Sequence, residues 1–289
     1  LFLGDYTPVK NIDRELFIYE TVGDPEASIH QLKQYFQSVW ELPDAKLYTK
    51  MGDWEKSQEC IQWLTAHADA LKSSYPSAYE PWDYEALTME TNRITLLHNP
   101  INASNKEPWM WETVCHLMGT GKEITVYTPY IICGKEMYAD LTALCKKTDL
   151  VEIITNDVAS GANPWGCTDY LNQKKKIWAT GVRVYEYLGE HSSHSKAVLI
   201  DDRMSIVGSY NMDMRSTYQD TELMLAVDSP ELNAVIRKEA EVNKTYSRYM
   251  TPEGTYINGE NYVPREMSAG KKLFYGVLRV LIMPFRRFL

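Results

Sequence analysis

Two patterns of hydrophobic and polar positions alternate along the chain from residue 92 onward. Short apolar runs between polar residues predict β-strands, whereas apolar residues three or four positions apart predict helices. The predicted strands are 93–98, 123–130, 151–156, 182–188 and 221–227, and the predicted helices are 107–118, 135–146, 164–179 and 230–248. Strands that alternate with helices indicate an α/β fold, with helices on both faces of a mixed sheet.

The first 90 residues show a less regular pattern. Residues 14–20 are typical of a strand, and residues 25–40 and 57–71 have helical spacing. The apolar residues of the first helix are predicted to be core residues rather than site residues; they are Ile29, Leu32, Phe36 and Trp40. The stretch 73–81, which is rich in serine and proline, is the best candidate for a linker.

A hairpin is predicted where the apolar run Ala197–Ile200 is followed by Ile206 and Val207. If Asp202 and Arg203 form a two-residue turn, Lys196 lies opposite Ser209 and His194 lies opposite Asn211. Directly opposed residues share one face of a hairpin, and a slip of one residue would separate them. This register therefore predicts one patch that contains an imidazole, an ammonium, a hydroxyl and a carboxamide.

These four groups suit a phosphodiester substrate. A neutral His194 imidazole can attack phosphorus, and Lys196, Ser209 and Asn211 can bind the non-bridging oxygens as negative charge develops. Glu222, in the next predicted strand, is the candidate to orient the imidazole by accepting a hydrogen bond from its other ring nitrogen.

The same residues carry a resemblance. The pattern H-x-K-x4-D followed by G-S-x-N is similar to the signature of the phospholipase D superfamily. His194, Lys196, Asp201, Gly208, Ser209 and Asn211 fill its positions. Residues 126–130, 181–187 and 211–216 resemble segments of bacterial cardiolipin synthases, and the similarity runs from about residue 92 to 227. The predicted catalytic residues are His194, Lys196, Asp201 and Glu222, and the predicted substrate-binding residues are Gly208, Ser209 and Asn211.

Asp201 belongs to this catalytic motif, yet the predicted strand separates it from substrate. It lies roughly 16 Å along the strand from Lys196, at about 3.3 Å per residue, and on the other face. We therefore expect its carboxylate to hydrogen-bond nearby amides and fix the turn.

The resemblance implies a phospholipase D-like α/β/α sandwich built from two similar lobes. Residues 1–90 would be the remnant of a first lobe, 91–264 a complete second lobe, and 265–289 a basic amphipathic tail. None of the other five histidines is followed by lysine two residues later, so one motif is present where lipid-acting members have two. Because the chain starts at Leu1 rather than methionine, we expect a fragment. A first lobe or a second copy of the chain would complete the site.

The resemblance also implies a reaction. A cardiolipin synthase-like phosphatidyltransferase joins two phosphatidylglycerol molecules and releases glycerol through a phosphohistidine intermediate. The second-lobe histidine, here His194, would be the general acid and later the base. No cofactor or metal is predicted, because Lys196 and its counterpart supply positive charge. Two alternatives remain open, a phosphodiesterase that hydrolyses phospholipid or nucleic acid, and a non-catalytic half-enzyme.

Charge separates the tail from the rest of the chain. Residues 265–289 contain six basic residues and one acidic residue, a net charge of +5. The whole chain carries −9, so the first 264 residues carry −14, which argues against broad nucleic-acid binding. Residues 271–289 are too short and too charged to span a bilayer, and they predict either docking on anionic lipid or packing on the protein itself. A membrane-associated bacterial enzyme, peripheral in this chain, is the resulting expectation.

Overall fold

The computed structural model describes residues 11–21, 23–47, 54–101, 106–160, 163–251 and 253–289. Two compact units divide the chain: one comprises residues 17–89, and the other comprises residues 90–289 together with the N-terminal segment that ends at Leu16. The division at Met89 and Glu90 lies beside the predicted boundary at 90. Residues 1–10, at the start of the predicted remnant of a first lobe, lie outside the described residues.

The larger unit is built on a mixed sheet that has nine strands among the described residues, in the order β11-β10-β5-β4-β3-β7-β8-β9-β2. β3, β4 and β5 are parallel, and every other neighbouring pair is antiparallel. The strands of this sheet are β2 (Arg93–His98), β3 (Glu123–Tyr127), β4 (Leu150–Asn156), β5 (Arg183–Tyr187), β7 (Ala197–Ile200), β8 (Met204–Gly208), β9 (Leu223–Asp228), β10 (Ser247–Met250) and β11 (Tyr256–Asn258). Two further short strands, β1 (Asn11–Ile12) and β6 (Ser192–Ser193), pair with each other.

Helices cover both faces of this sheet. The helices of the larger unit are α4 (Trp109–Met118), α5 (Lys135–Lys147), α6 (Pro164–Ala179), α7 (Met214–Tyr218), α8 (Pro230–Thr245) and α9 (Ala269–Leu281), whereas α1 (Ser28–Trp40), α2 (Trp54–Ser74) and α3 (Tyr84–Leu87) belong to the smaller unit. On one face α4, α5 and α6 pack on residues such as Val126 and Val198, and on the other α8 packs on their sequence neighbours Tyr127 and Ala197. Side chains alternate along a strand, so the two cores confirm the predicted α/β sandwich.

The hairpin register differs by one residue from the prediction. Ile200 pairs with Met204 and Ala197 with Val207, so the turn has three residues, Asp201 to Arg203. Asp201 has a φ of +49°, a left-handed conformation that aspartate tolerates and that three-residue hairpin loops use. Lys196 therefore lies opposite Gly208 rather than Ser209, and the predicted cross-strand pairs of the site are wrong.

One edge of the sheet collects the motif residues, and we call it the site edge. It is the edge where β3, β4 and β5 end, where β7 and β9 begin, and where β8 ends. Asn156, at the end of β4, fixes the segment that leads to His194. Its Nδ2 donates to the carbonyl oxygens of Pro129 and Ser193, and its Oδ1 accepts from the Ser193 amide at 2.8 Å.

The smaller unit contains α1, α2, a short 3₁₀ helix (Pro76–Tyr79) and α3. The predicted core of α1 is wrong in part, because Phe36 and Trp40 are both more than 60% exposed. The predicted linker 73–81 instead includes the end of α2 and the 3₁₀ helix. Residues 14–20 are described and do not form the predicted strand. A two-residue strand, β1, lies just before them and pairs in parallel with β6.

Two polar side chains that hold helices in place were not predicted. Lys174, in α6, is mostly buried and pairs with the Glu186 carboxylate. Asp169 is fully buried in α6 and binds Arg286 through both carboxylate oxygens, at 2.5 and 3.1 Å. The second pair attaches the C-terminal 3₁₀ helix (Met283–Phe288) to the larger unit.

Candidate active site

His194 lies just before β7 at the site edge, and its ring is held from both sides. Its backbone amide donates to the Ile12 carbonyl at 2.8 Å, which follows from the pairing of β1 with β6. This pairing brings the next residue, Asp13, to the ring, where its Oδ1 lies 2.7 Å from Nδ1. The other ring nitrogen, Nε2, lies 2.8 Å from the Nζ of Lys196.

Lys196 is mostly buried, and its Nζ also donates to the His194 carbonyl at 2.7 Å. An ammonium that donates to Nε2 requires a neutral imidazole with its proton on Nδ1, where Asp13 accepts it. The Nε2 lone pair thus accepts a hydrogen bond from the Lys196 ammonium, and the oxygens of a substrate can compete for this donor. A phosphoryl oxygen that accepts the Lys196 proton would free Nε2 for reaction.

Glu222 forms the centre of a second cluster. Its Oε2 accepts from the Ser209 hydroxyl, and its Oε1 accepts from the Ser216 hydroxyl at 2.7 Å. The expected role of Glu222, orienting the His194 ring, is corrected, because Asp13 occupies the Nδ1 position. Register explains the difference, since Ser209 leaves β8 beside the start of β9 and its amide bonds the Leu223 carbonyl, next to Glu222.

Asn211 and Asp213 continue the second cluster. Asp213 caps α7 by accepting from the Ser216 amide, which gives this carboxylate a structural role. The Nδ2 of Asn211 lies 3.4 Å from the Ser216 hydroxyl oxygen, while its Oδ1 is buried and bonds none of the described residues. A buried acceptor without a partner is costly, and a substrate hydroxyl could satisfy it.

Gly208 and Asp201 have structural explanations. A Cβ at Gly208 would lie 2.1 Å from the Leu223 carbonyl oxygen, so the close approach of β9 requires glycine there. The Oδ1 of Asp201 accepts from the amides of Lys122 and Glu123 at 2.7 and 2.9 Å. It thus fixes the start of β3 beside β7, at the opposite end of the hairpin from Lys196. We predicted that the Asp201 carboxylate bonds nearby amides, and these two hydrogen bonds agree with that role. The position of Asp201 does not allow contact with a substrate bound at Lys196.

Burial and charge shift the pKa values of three residues at the site, His194, Lys196 and Glu222. Burial, and then the Lys196 ammonium, lower the pKa of His194 below its usual value, while Asp13 acts in the opposite direction. Burial lowers the pKa of Lys196 to about 8, and Asp13, Glu222 and Asp213 oppose this shift. Burial raises the pKa of Glu222 to about 7. At neutral pH the site therefore has a neutral imidazole beside an ammonium that is close to titration.

Asp13 is the site residue that the sequence analysis missed. A signal was present, because Asn11-Ile-Asp13 repeats the N-x-D spacing of Asn211-Met-Asp213. The pairing of β1 with β6, which carries Asp13 to His194, joins residues about 180 positions apart and has no local signature. No group of three or more His, Cys, Asp or Glu side chains in the described ranges is arranged to hold a metal ion.

Part of the larger unit is similar in sequence to known proteins. Residues 114–243 match the sequence profile of the family described as "Cardiolipin synthase, PLD-like domain". Residues 114–243 are therefore similar to a phospholipase D-like domain. The matched segment includes every motif residue from His194 to Glu222 and the strands β3 to β9.

Two curated relatives of the phospholipase D-like domain are bacterial. Cardiolipin synthase A of Erwinia tasmaniensis is 28% identical over 108 residues, which cover 37% of this chain and 21% of the relative. Cardiolipin synthase A of Yersinia pseudotuberculosis is 26% identical over 157 residues, which cover 53% of this chain and 30% of the relative. The chain therefore spans less than a third of the length of these relatives.

Solved structures show more distant likenesses to the domain. Nuc, a phospholipase D family member from Salmonella typhimurium, matches with a TM-score of 0.45 and 14% identity over 54% of this chain and 96% of its own. Phosphatidylserine synthase of Haemophilus influenzae matches with a TM-score of 0.46 and 19% identity over 68% of this chain and 48% of its own.

Proposed function

We propose that the phospholipase D-like domain belongs to a phosphatidyltransferase similar to cardiolipin synthase. The reaction would join two phosphatidylglycerol molecules and release one glycerol. The observation that carries this proposal is the His194 ring, neutral and held between Asp13 and Lys196 with Nε2 next to an ammonium. The names of the relatives supply the lipid substrate class.

The geometry suits His194 entering the reaction as a neutral imidazole. In the first half, Nε2 attacks phosphorus, the bond to the glycerol oxygen breaks, and a second group protonates that oxygen. Phosphorus is then bound to Nε2, and Asp13 balances the charge on the ring. In the second half, the hydroxyl of another phosphatidylglycerol attacks phosphorus, the bond to Nε2 breaks, and the hydroxyl proton passes to the second group, which regains the proton it gave to glycerol. Lys196 binds the non-bridging oxygens throughout.

The second group is proposed to be a histidine from another lobe or from a second copy of the chain. The alternative division of roles makes that histidine the nucleophile and His194 the acid and then the base. The lowered pKa of His194 keeps its ring unprotonated at neutral pH, so the ring has a lone pair for attack and no extra proton to donate as an acid, which supports the first division.

A labelling experiment tests both the reaction and the roles. The intact gene product is given phosphatidylglycerol with radioactive phosphorus, and products and acid-labile protein-bound label are measured. We expect cardiolipin and glycerol, with label trapped on the protein and absent from the His194→Ala variant. Phosphatidic acid with glycerol would identify a hydrolase, label that persists in His194→Ala would make His194 the acid and base, and the absence of any product would contradict the proposal.

A further inference from the structure

Helix α9 packs on the larger unit through one narrow stripe. Tyr275, Leu278 and Ile282 recur three and four positions apart and are almost fully buried. The helix lies along α6, where the Asn172 side chain donates to the Arg279 carbonyl at 2.9 Å and accepts from the Arg279 Nε at 2.8 Å. The packing interpretation of the tail is therefore correct for this stripe.

The opposite side of α9 is apolar as well. Five large apolar residues form its outer stripe, and each is between 53% and 72% exposed; they are Leu273, Phe274, Val277, Val280 and Leu281. The 3₁₀ helix that follows adds Met283, Phe285 and Phe288 with similar exposure. A helix that faces water has polar residues on its outer side, so an apolar outer stripe indicates that another phase or partner covers it.

The charge around the outer stripe indicates what covers it. Lys272 and Arg279 lie on the flank between the buried and the outer stripe, and the exposed Arg287 follows. Residues 267–289 contain no acidic residue, while the first 264 residues carry a net charge of −14. Apolar residues with a basic flank on one short helix are typical of segments that lie in the interface of anionic bilayers.

The tail is attached to the site edge. The Arg265 guanidinium donates to the carbonyl of Gly189, in the loop after β5, and the Lys271 Nζ donates to that of Ala159, in the loop after β4. At the other end Arg286 donates to the Cys133 carbonyl, and Leu289 accepts from the amide of Arg215 at 2.8 Å. Arg215 lies in α7, which begins three residues after the motif residue Asn211.

We propose that the outer stripe, residues 273, 274, 277, 280 and 281 with the following 3₁₀ helix, docks on an anionic phospholipid bilayer and holds the site edge at its surface. The helix is about 20 Å long at 1.5 Å per residue and lies in the interface plane, with its basic flank among the head groups. The proposal rests on the proposed function, because a lipid substrate gives a reason for the site edge to face the bilayer.

Flotation with vesicles tests the docking without any need for activity. The intact gene product is mixed with vesicles of phosphatidylglycerol and phosphatidylcholine, or of phosphatidylcholine alone. The variant Leu273→Gln/Val277→Gln/Leu281→Gln is expected to bind phosphatidylglycerol vesicles at least tenfold more weakly, and Lys272→Gln/Arg287→Gln to lose the preference for them. The matched control Ile61→Gln/Leu64→Gln/Leu71→Gln changes three exposed aliphatic residues of α2, and its binding should be unchanged.

The readouts distinguish the alternatives. We call Leu273→Gln/Val277→Gln/Leu281→Gln the tail variant. If it unfolds at the same temperature as the wild type, its fold is intact. Unchanged vesicle binding by that variant, or an equal loss in the α2 control, overturns the docking. Dissociation of a wild-type oligomer by the tail variant, with vesicle binding retained, assigns the stripe to a second copy and also overturns it.

Activity separates this proposal from the proposed function. With short-chain phosphatidylglycerol in solution, the tail variant is expected to keep wild-type turnover, while with vesicle substrate its rate falls at least tenfold. If the wild type turns over neither substrate but binds vesicles through the outer stripe, the proposed function fails and the docking stands. If both substrates are turned over equally well by the variant, the docking has no role at the site and the proposal fails.

Discussion

Asp13 affects the pKa of His194, and this predicts how the pH dependence of the rate changes when Asp13 is replaced. Asp13 raises the pKa of His194 against the larger effects of burial and Lys196. Replacing Asp13 by asparagine removes the carboxylate, so the pKa of His194 falls further and the acid limb of the pH–rate profile moves to lower pH. We expect turnover to fall about 10- to 100-fold as well, because the ring loses the acceptor that fixes its tautomer.

The measurement is a pH profile of phosphatidyl transfer by wild type, Asp13→Asn and Glu15→Gln. Glu15 is an exposed carboxylate two residues away, so its variant removes the same charge without the contact to the ring. An acid limb that moves to higher pH in Asp13→Asn, or that moves equally in both variants, would contradict the role of Asp13.

Ionisation of the buried Glu222 carboxyl lowers the free energy of unfolding, so stability depends on pH. In the folded protein its pKa is raised to about 7, above the 4.5 of an unperturbed glutamate, so the unfolded chain ionises first as pH rises. Stability is therefore lost between about pH 4.5 and 7, by roughly 3 kcal/mol for a shift of this size. Glutamine does not titrate, so Glu222→Gln should be more stable relative to wild type at pH 8 than at pH 5, by roughly 2 to 3 kcal/mol.

Chemical unfolding at the two pH values measures this difference. The lost hydrogen bond to one hydroxyl, from Ser209 or Ser216, affects both pH values alike and cancels in the comparison. Glu231→Gln, at the exposed start of α8, is the control for removing one carboxylate, and its effect should differ by less than about 1 kcal/mol between the two pH values. Equal effects of Glu222→Gln at pH 5 and pH 8 would show that Glu222 ionises normally in the folded protein.

Local signals predicted the elements of the larger unit well and the contacts between distant segments poorly. β2 and α6 begin and end where their patterns predict, because each has a clear period and α6 starts with a capping Asn163 and a proline. The predicted hairpin register differs by one residue because Asp201 belongs to the turn, where it adopts a positive φ. The sequence Asp-Asp-Arg does not indicate this conformation. β1 was missed because its two residues are a strand only through their pairing with β6.

The attachment of the C-terminal 3₁₀ helix depends on one buried ion pair. Arg286 binds both oxygens of the fully buried Asp169 and the Cys133 carbonyl. Arg286→Ala leaves a buried carboxylate without its cation, which costs roughly 3 to 5 kcal/mol. Thermal or chemical unfolding measures the loss, and the exposed neighbour Arg287, changed to alanine, should stay within about 0.5 kcal/mol of wild type.

A second variant decides whether the carboxylate causes that loss. Asp169→Asn, added to Arg286→Ala, removes the buried charge and is expected to recover much of the stability. If the double variant is as unstable as the sum of the two single variants, the pair is not coupled, and packing of the Arg286 side chain must explain the loss.

The origin of the second catalytic group concerns the whole molecule, and mixing of chains can reveal it. Asp13 reaches His194 from within the same chain, and it does so from the segment that precedes the unit 17–89. We therefore expect the remaining half of the site to come from the same polypeptide. Wild-type and His194→Ala gene products are co-expressed in varied ratios, with separate tags to measure the fraction of each.

Activity should then fall in proportion to the wild-type fraction, to one half in an equal mixture. A site shared between two copies needs both histidines, so activity would fall with the square of that fraction, to about one quarter in an equal mixture. The outer stripe of α9 gives an internal check on the result. If copies pair through this stripe, the Leu273→Gln/Val277→Gln/Leu281→Gln variant would change the dose curve, whereas docking on lipid predicts the same straight line with and without these substitutions.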